Sequence, residues 1–172
     1  MQGIEFVKDP GWDEANPGQE WEKPRRATQN SAGYDFFAPT QIVINPGESV
    51  TVKTYTKAKM PPNVTFLMVP RSGLGFKYGI RLSNTIGVID ADYYSDEPGK
   101  GCISVKLFNP SNEVVFIEKG KAYCQGIFVV YATAEDEDGN FAERNGEGFG
   151  STDKNNKEEK NERGKEQVSV HG

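Results

Sequence analysis

Gly87-Val88-Ile89-Asp90-Ala91-Asp92-Tyr93-Tyr94 sets two β-branched residues, two carboxylates and two aromatic rings behind a turn-forming glycine. Alternation reads the stretch as a strand. Val88, Asp90 and Asp92 then share one face and Ile89, Ala91 and Tyr93 the other, for as long as the chain stays straight. A carboxylate among apolar, β-branched neighbours is partly desolvated, and a desolvated carboxylate is suited to accept a proton. A neighbouring tyrosine offers a flat wall and one hydroxyl, which suits a sugar or a nucleobase. Taken alone, the same residues also fit a solvated strand end.

On both sides of this stretch the chain has one texture. Short apolar runs at residues 34–38, 41–44, 49–55, 64–69, 86–90, 103–108, 113–117 and 123–130 are separated by breakers. The breakers are Pro39, Asn45-Pro46-Gly47, Pro61-Pro62-Asn63, Asn109-Pro110-Ser111 and Lys119-Gly120-Lys121. Short strands at close intervals predict an all-β sandwich or barrel. One interruption differs: Leu74, Tyr78 and Leu82 recur at i, i+4, i+8 behind Ser72, predicting a short helix over 72–82 with Ser72 as N-cap. Three glycines within it weaken the pattern. A helix start there offers N–H groups suited to a phosphate. Ile4-Glu5-Phe6 reads as a short edge strand. Trp12 and Trp21 read as isolated packing residues over a polar, proline-punctuated N-terminal loop.

Composition narrows the functional classes. The chain of 172 residues carries 20 basic and 25 acidic residues, a formal charge of -5. The signs are interleaved, which argues against generic nucleic-acid backbone binding. A small anionic substrate is compatible if local donors or a metal offset the charge. Cys102 and Cys124 match no zinc spacing and make no disulfide framework, so they read as buried thiols. His171 is the only histidine and sits next to the last residue. Ser-His, Cys-His and histidine-based metal chemistry are thereby excluded. No apolar run nears ~18 residues and the N-terminus shows no signal-peptide core, so a cytoplasmic protein without a membrane span is expected.

Beyond Tyr131 apolar residues nearly vanish, a composition that does not fold alone. One island, Arg144-Asn145-Gly146-Glu147-Gly148-Phe149-Gly150-Ser151-Thr152, sets a ring among glycines ahead of two hydroxyls. Such a backbone can wrap a ligand while the ring stacks. It lacks the lysine and the spacing of a P-loop. Read alone, it also fits a flexible tail. The expected organisation is therefore a β domain over 1–131 with an insert loop near 95–101, an arm over 132–152, and a charged, disordered tail over 153–172.

Five segments in order resemble the homotrimeric dUTPase family, whose fold is a β-barrel or jelly roll with one short helix and a flexible C-terminal arm. They are Ala32-Gly33-Tyr34-Asp35-Phe36-Phe37-Ala38, Pro70-Arg71-Ser72-Gly73-Leu74-Gly75, Asn84 through Tyr93, Gly120-Lys121-Ala122-Tyr123-Cys124-Gln125-Gly126, and Arg144 through Thr152. The N-terminal insertions, the short insert and the tail resemble staphylococcal phage members of that family.

The resemblance implies a dUTP diphosphatase in which Asp90 is the general base for a water that attacks the α-phosphorus. Tyr93 would stack on the deoxyribose and exclude a 2′-hydroxyl. The hairpin from Asn84 through Gly87 and Ile89 would read the uracil edge. Arg71, Ser72, Gly73 and Gln125 would contact the phosphates, and Asp35 would hold Mg²⁺ through a water. Phe149 would cap the base, and Arg144, Gly150, Ser151 and Thr152 would close over the triphosphate. The first, second and fourth motifs would come from one chain, the third from a second and the fifth from a third.

Departures from the family's pattern are Ser95 and Glu147, each in place of a usual glycine, the insert Asp96-Glu97-Pro98-Gly99-Lys100-Gly101, and the tail. The insert reads as a protruding loop, either simply tolerated or gripped by a repressor protein. Two further readings are a dCTP deaminase-type enzyme on the related scaffold and a nucleotide-switched regulator without turnover.

Overall fold

The computed structural model describes residues 3–135 together with Gly139 and Phe141. Its elements run β1 (Glu5–Lys8), α1 (Gly11–Ala15), β2 (Arg25–Arg26), β3 (Tyr34–Phe37), β4 (Ile42–Ile44), β5 (Ser49–Lys53), β6 (Thr56–Lys59) and β7 (Val64–Pro70). They continue with α2 (Ser72–Tyr78), β8 (Arg81–Leu82), β9 (Gly87–Ile89), a 3₁₀ turn (Ala91–Tyr93), β10 (Ser104–Phe108), β11 (Val115–Ile117) and β12 (Ala122–Val130). The architecture is the all-β one expected. The largest sheet has the order β2-β3-β12-β7-β9, and smaller sheets pair β1 with β6, β11 with β4, and β5-β10-β8. Every one of these pairings is antiparallel.

Alternation does what pleating requires. In β10, Val105 and Leu107 are buried while Lys106 between them is exposed, and in β4 Ile42 and Ile44 flank an exposed Val43. The core centres on a ring cluster. Phe6 from β1 packs against Tyr34, Phe36, Phe66 and Phe128, with centroids 5.2–5.9 Å away. Phe66 and Phe128 lie 4.4 Å apart. Gly126 lets the Phe66 ring lie on the backbone of β12, since a Cβ there would run into three carbons of that ring. The N-terminal strand thus fills core space and does not merely decorate an edge.

Four expectations are corrected. The predicted helix is shorter: its N-cap position is Arg71, with no side-chain cap, so Ser72 already lies inside. Gly79, at φ 70, ends the helix in the left-handed conformation. Leu82 belongs to β8, where it pairs with Leu107. The run 49–55 is not one strand to its end, because Tyr55 takes φ 53 and bulges out: Thr54 N donates to Ile103 O and Ile103 N to Thr56 O, and the chain runs on into β6. The N-terminal stretch is not all loop. Trp12 sits buried on α1, 5.5 Å from the Tyr55 ring, and its Nε1 donates to the Gln19 carbonyl at 2.9 Å. Finally, the alternation of the third motif stops at Ile89. Asp90 is still extended, but Ala91–Tyr93 winds into the 3₁₀ turn, leaving Asp92 exposed and Tyr93 half-buried.

Candidate functional site

The predicted site residues fall into two groups, at different places on β7. The first gathers where β3, β12 and the end of β7 lie side by side. Gln125 registers with Asp35 on one side and Val69 on the other. Asp35 is buried, and Arg71 Nη2 lies 3.4 Å from its Oδ2. Gln125 Nε2 donates to the Pro70 carbonyl at 3.5 Å, and Gly33 leaves room for its amide, since a Cβ there would overlap Oε1. Ser72 and Gly73 open α2 directly after Arg71, where the first-turn N–H groups have no carbonyl within the helix. This corner therefore presents a guanidinium, an amide and backbone donors beside one carboxylate. Such a set suits several oxyanions held close together.

Just beneath it lies Cys124, fully buried. Burial pushes its thiol far above the usual cysteine range, and the charge of Asp35 adds to the rise. Cys102 is pushed up to about 11, by burial first and by Asp9 second. Both are neutral thiols at ordinary pH, as expected for packing residues.

The second group surrounds a cavity of about 450 Å³. Asn84, Gly87, Ile89 and Tyr93 line it, along with Met68 and Lys106. The hairpin that forms its wall is tight. Leu82 and Thr85 form an isolated bridge, Thr85 N donates to Leu82 O at 3.0 Å, and Ile86 N donates to Asn84 O at 2.7 Å. Thr85 takes φ 68, which a β-branched residue rarely adopts. Such strain costs of order ~1–3 kcal/mol and marks a backbone held by its surroundings. Gly87 lies close on Met68, where a Cβ would come within 3.1 Å of the methionine Cβ. Tyr93 lines the cavity and donates its hydroxyl to the Cys102 carbonyl at 3.0 Å. The ring is thereby held by both ends. Lys106 was not singled out by the sequence reading. The only signal for it was its outward position between Val105 and Leu107.

Asp90 stands at the rim, half-buried, beside a separate depression shared with Met60, Pro62 and Tyr131. Register separates it from Arg71. Ile89 pairs with Phe66, so Asp90 follows toward Thr65, whereas Arg71 lies five residues beyond Phe66 in the other direction. Asp90 is thus six residues from Arg71 along the strand, about 20 Å at about 3.3 Å per residue. One chain brings Asn84, Gly87, Ile89 and Tyr93 together, and brings Asp35, Arg71, Ser72, Gly73 and Gln125 together. Arg144, Glu147, Phe149, Gly150, Ser151, Thr152 and the tail lie outside the described residues.

Among the described residues no group of three or more His, Cys, Asp or Glu side chains is placed to hold a metal. Asp35 is a single hard-oxygen donor, with its side chain 12% exposed. That fits a magnesium ion bound mainly by waters and phosphates, and does not fit a site made wholly of protein ligands. No helix among the described residues is long and apolar enough to cross a membrane.

Comparison with known proteins finds the dUTPase family profile matching residues 19–153. A deoxyuridine 5′-triphosphate nucleotidohydrolase of Lactococcus lactis is 37% identical over 129 residues, covering 75% of this chain and 86% of that protein. The crystal structure of dUTPase from Streptococcus mutans superposes with a TM-score of 0.62 at 29% identity, covering 78% of this chain and 99% of that one. The Staphylococcus bacteriophage 80alpha dUTPase with dUPNHPP superposes with a TM-score of 0.61 at 22% identity, covering 88% and 98%, a likeness of fold.

Proposed function

We propose that this chain, which belongs to the dUTPase family, hydrolyses dUTP to dUMP and pyrophosphate by direct attack of water on the α-phosphorus. The single observation that carries the finer reading is the walled cavity. Its volume suits a nucleoside, the tight hairpin at Asn84 and Gly87 lines one side, and a tyrosine held at its hydroxyl lines another. Main-chain donors and acceptors of the hairpin from Asn84 to Ile89 read the uracil edge, where cytosine presents the opposite pattern. Tyr93 lies against the deoxyribose and leaves no space for a 2′-hydroxyl.

Asp90 takes a proton from the attacking water. The new P–O bond forms at the α-phosphorus as the bond to the bridging oxygen breaks, and pyrophosphate departs with the electron pair. Arg71, the backbone at Ser72 and Gly73, and Gln125 hold the phosphate oxygens. When bound, Mg²⁺ supplies charge neutralisation on the triphosphate, with Asp35 holding one of its waters. The arm closes over the complex, Phe149 on the base and Arg144, Gly150, Ser151 and Thr152 toward the phosphates. Closure excludes water and strengthens every electrostatic contact beneath.

By register Asp90 and Arg71 stand about 20 Å apart along β7, too far to act on one triphosphate together. We infer a homotrimer in which one copy's cavity faces another copy's phosphate corner. A repressor-protein partner would meet the exposed insert residues Asp96 and Glu97, and charge reversal there separates that role from catalysis.

Pyrophosphate release from dUTP, with dCTP and UTP as controls, tests the reaction. Asp90→Asn is expected to lower kcat by about 10²–10⁴ while nucleotide affinity is kept, since a general base acts on the proton and not on binding. Undiminished turnover in that variant would remove Asp90 from the mechanism.

A further inference from the structure

Behind the 95–101 insert, the structure buries a pair of opposite charges that the reaction does not use. Asp9 is 0% exposed and Lys57 is 2% exposed. Lys57 Nζ lies 3.6 Å from Asp9 Oδ2, and Lys53 Nζ lies 3.5 Å from Oδ1. Asp9 accepts from Gly11 N at Oδ1 and from Gly99 N at Oδ2, both at 3.1 Å. Lys57 Nζ donates to two carbonyls of the insert loop, Ser95 at 2.8 Å and Glu97 at 2.6 Å. Three backbone groups of the 95–101 insert are thus tied to one buried ion pair, although Asp96, Glu97, Pro98 and Gly99 are exposed.

The insert begins two residues after Tyr93 and ends beside Cys102, whose carbonyl accepts from the Tyr93 hydroxyl. Its closing residue is also fitted to the ring's backbone. A Cβ on Gly101 would come within 2.6 Å of the Tyr93 carbonyl oxygen and 2.7 Å of Ser95 N. The loop is closed at its neck by Tyr93 and held behind the neck by Lys57 and Asp9. Any slack in the hold passes directly into the segment that carries the ring.

A buried ion pair is a poor device for stability, because desolvation cancels most of its attraction. Apolar replacements of similar size are often as stable. What such a pair does well is fix geometry, since a lysine with two carbonyl acceptors and a carboxylate tolerates few positions. We propose that Lys57 and Asp9 are positioning residues for Tyr93, setting through the 95–101 insert how closely its ring lies on the sugar, and hence the preference for a deoxyribonucleotide over a ribonucleotide. The proposal rests on Tyr93 lying against the deoxyribose. It gives the N-terminal segment, which supplies Asp9, a part in substrate choice.

The test compares kcat/KM for dUTP and UTP in three proteins whose folding is verified by thermal melting. The double variant Lys57→Met with Asp9→Asn removes the hold on the loop without leaving a buried charge unpaired. Its dUTP-over-UTP preference is expected to fall about tenfold, because sub-ångström misplacement of a close steric wall has effects of that size. Lys57→Met alone leaves Asp9 paired with Lys53 and still bonded to Gly99 N, so it is expected to lose less, and it reads the same ratio should the double variant not fold. Tyr93→Ala is the reference, expected to lose the preference outright. A folded double variant with an unchanged ratio, while Tyr93→Ala loses it, overturns the positioning role alone. An unchanged ratio in Tyr93→Ala overturns the sugar assignment and this proposal with it.

Discussion

At the end of β7 the site is built from side chains, and at the hairpin before β9 it is built from main chain. Arg71 is 44% exposed at its side chain and lies 3.4 Å from Asp35. Gln125 reaches across one strand to a carbonyl. By contrast Asn84, Gly87 and Ile89 belong to a hairpin locked by short backbone bonds and by Thr85 in a strained conformation. The difference follows from what each end is assigned to bind. A phosphate is highly charged and nearly isotropic, so mobile cationic donors hold it well. A pyrimidine edge is distinguished by the order of its donors and acceptors, which only a rigid backbone presents without error.

Removing a side chain from the first end should break the comparison most visibly. Arg71→Ala is expected to raise KM for dUTP by about 10- to 100-fold, the loss of a charge-assisted contact of about 1.5–3 kcal/mol. The affinity for deoxyuridine, which has no phosphates, should stay unchanged. Calorimetry with both ligands checks this. Equal losses for both would mean that the two ends are not separable.

How legible these ends were in the sequence differs for the same physical reason. β7, β10 and β12 were visible within about a residue because their apolar alternation meets clear breakers, such as Asn109-Pro110 and Lys119-Gly120. β6 was not, because only a bulge at Tyr55, φ 53, sets it off from β5, with neither glycine nor proline to announce it. The helix α2 was visible from Leu74 and Tyr78, but its end depended on Gly79 adopting the left-handed cap, which spacing does not show. The first four motifs could be picked out because the resemblance rests on residue type and order, which a sequence carries directly. Asp9 and Lys57 could not. Charged residues in a polar segment read as solvated, and only tertiary packing brings the two together. The strain at Thr85 was equally hidden, since nothing local marks a threonine for positive φ.

A smaller effect is expected at that threonine. Thr85→Gly relieves strain of about 1–3 kcal/mol, yet glycine also gains freedom in the unfolded chain, worth about 0.5–1 kcal/mol. The melting temperature should therefore rise by only a few degrees. The looser hairpin should discriminate dUTP from dCTP a few-fold less well. Pyrophosphate release from the two nucleotides reads this directly. Discrimination that is kept would show that the rigidity comes from Gly87 on Met68 and not from the strained turn.

The smallest effect separates the two ends by their thiols and appears only in alkali. Cys102 lies at the neck of the Tyr93 loop and Cys124 under the phosphate corner, and burial raises both above the ordinary value of 9.0. In the unfolded chain each ionises near that ordinary value, while in the folded protein each keeps its proton. The unfolded state therefore binds fewer protons above pH 9, and stability falls as pH rises from there. Below pH 9 the contribution of each thiol is fully present. For Cys102 the loss is complete near pH 11, the value reached in the folded protein. Cys124, raised further, keeps losing stability beyond that point. Cys102→Ala should thus flatten the fall in unfolding free energy between pH 9 and 11 by about 1.4 kcal/mol per pH unit, the worth of one proton, and leave the slope above pH 11 unchanged. Cys124→Ala should flatten it across both ranges. Denaturant titrations at stepped alkaline pH measure these slopes. Identical profiles for the two variants would mean that the thiol at the Tyr93 neck is as tightly enclosed as the one under Arg71 and Asp35, and that the two ends do not differ in how deeply their supports are buried.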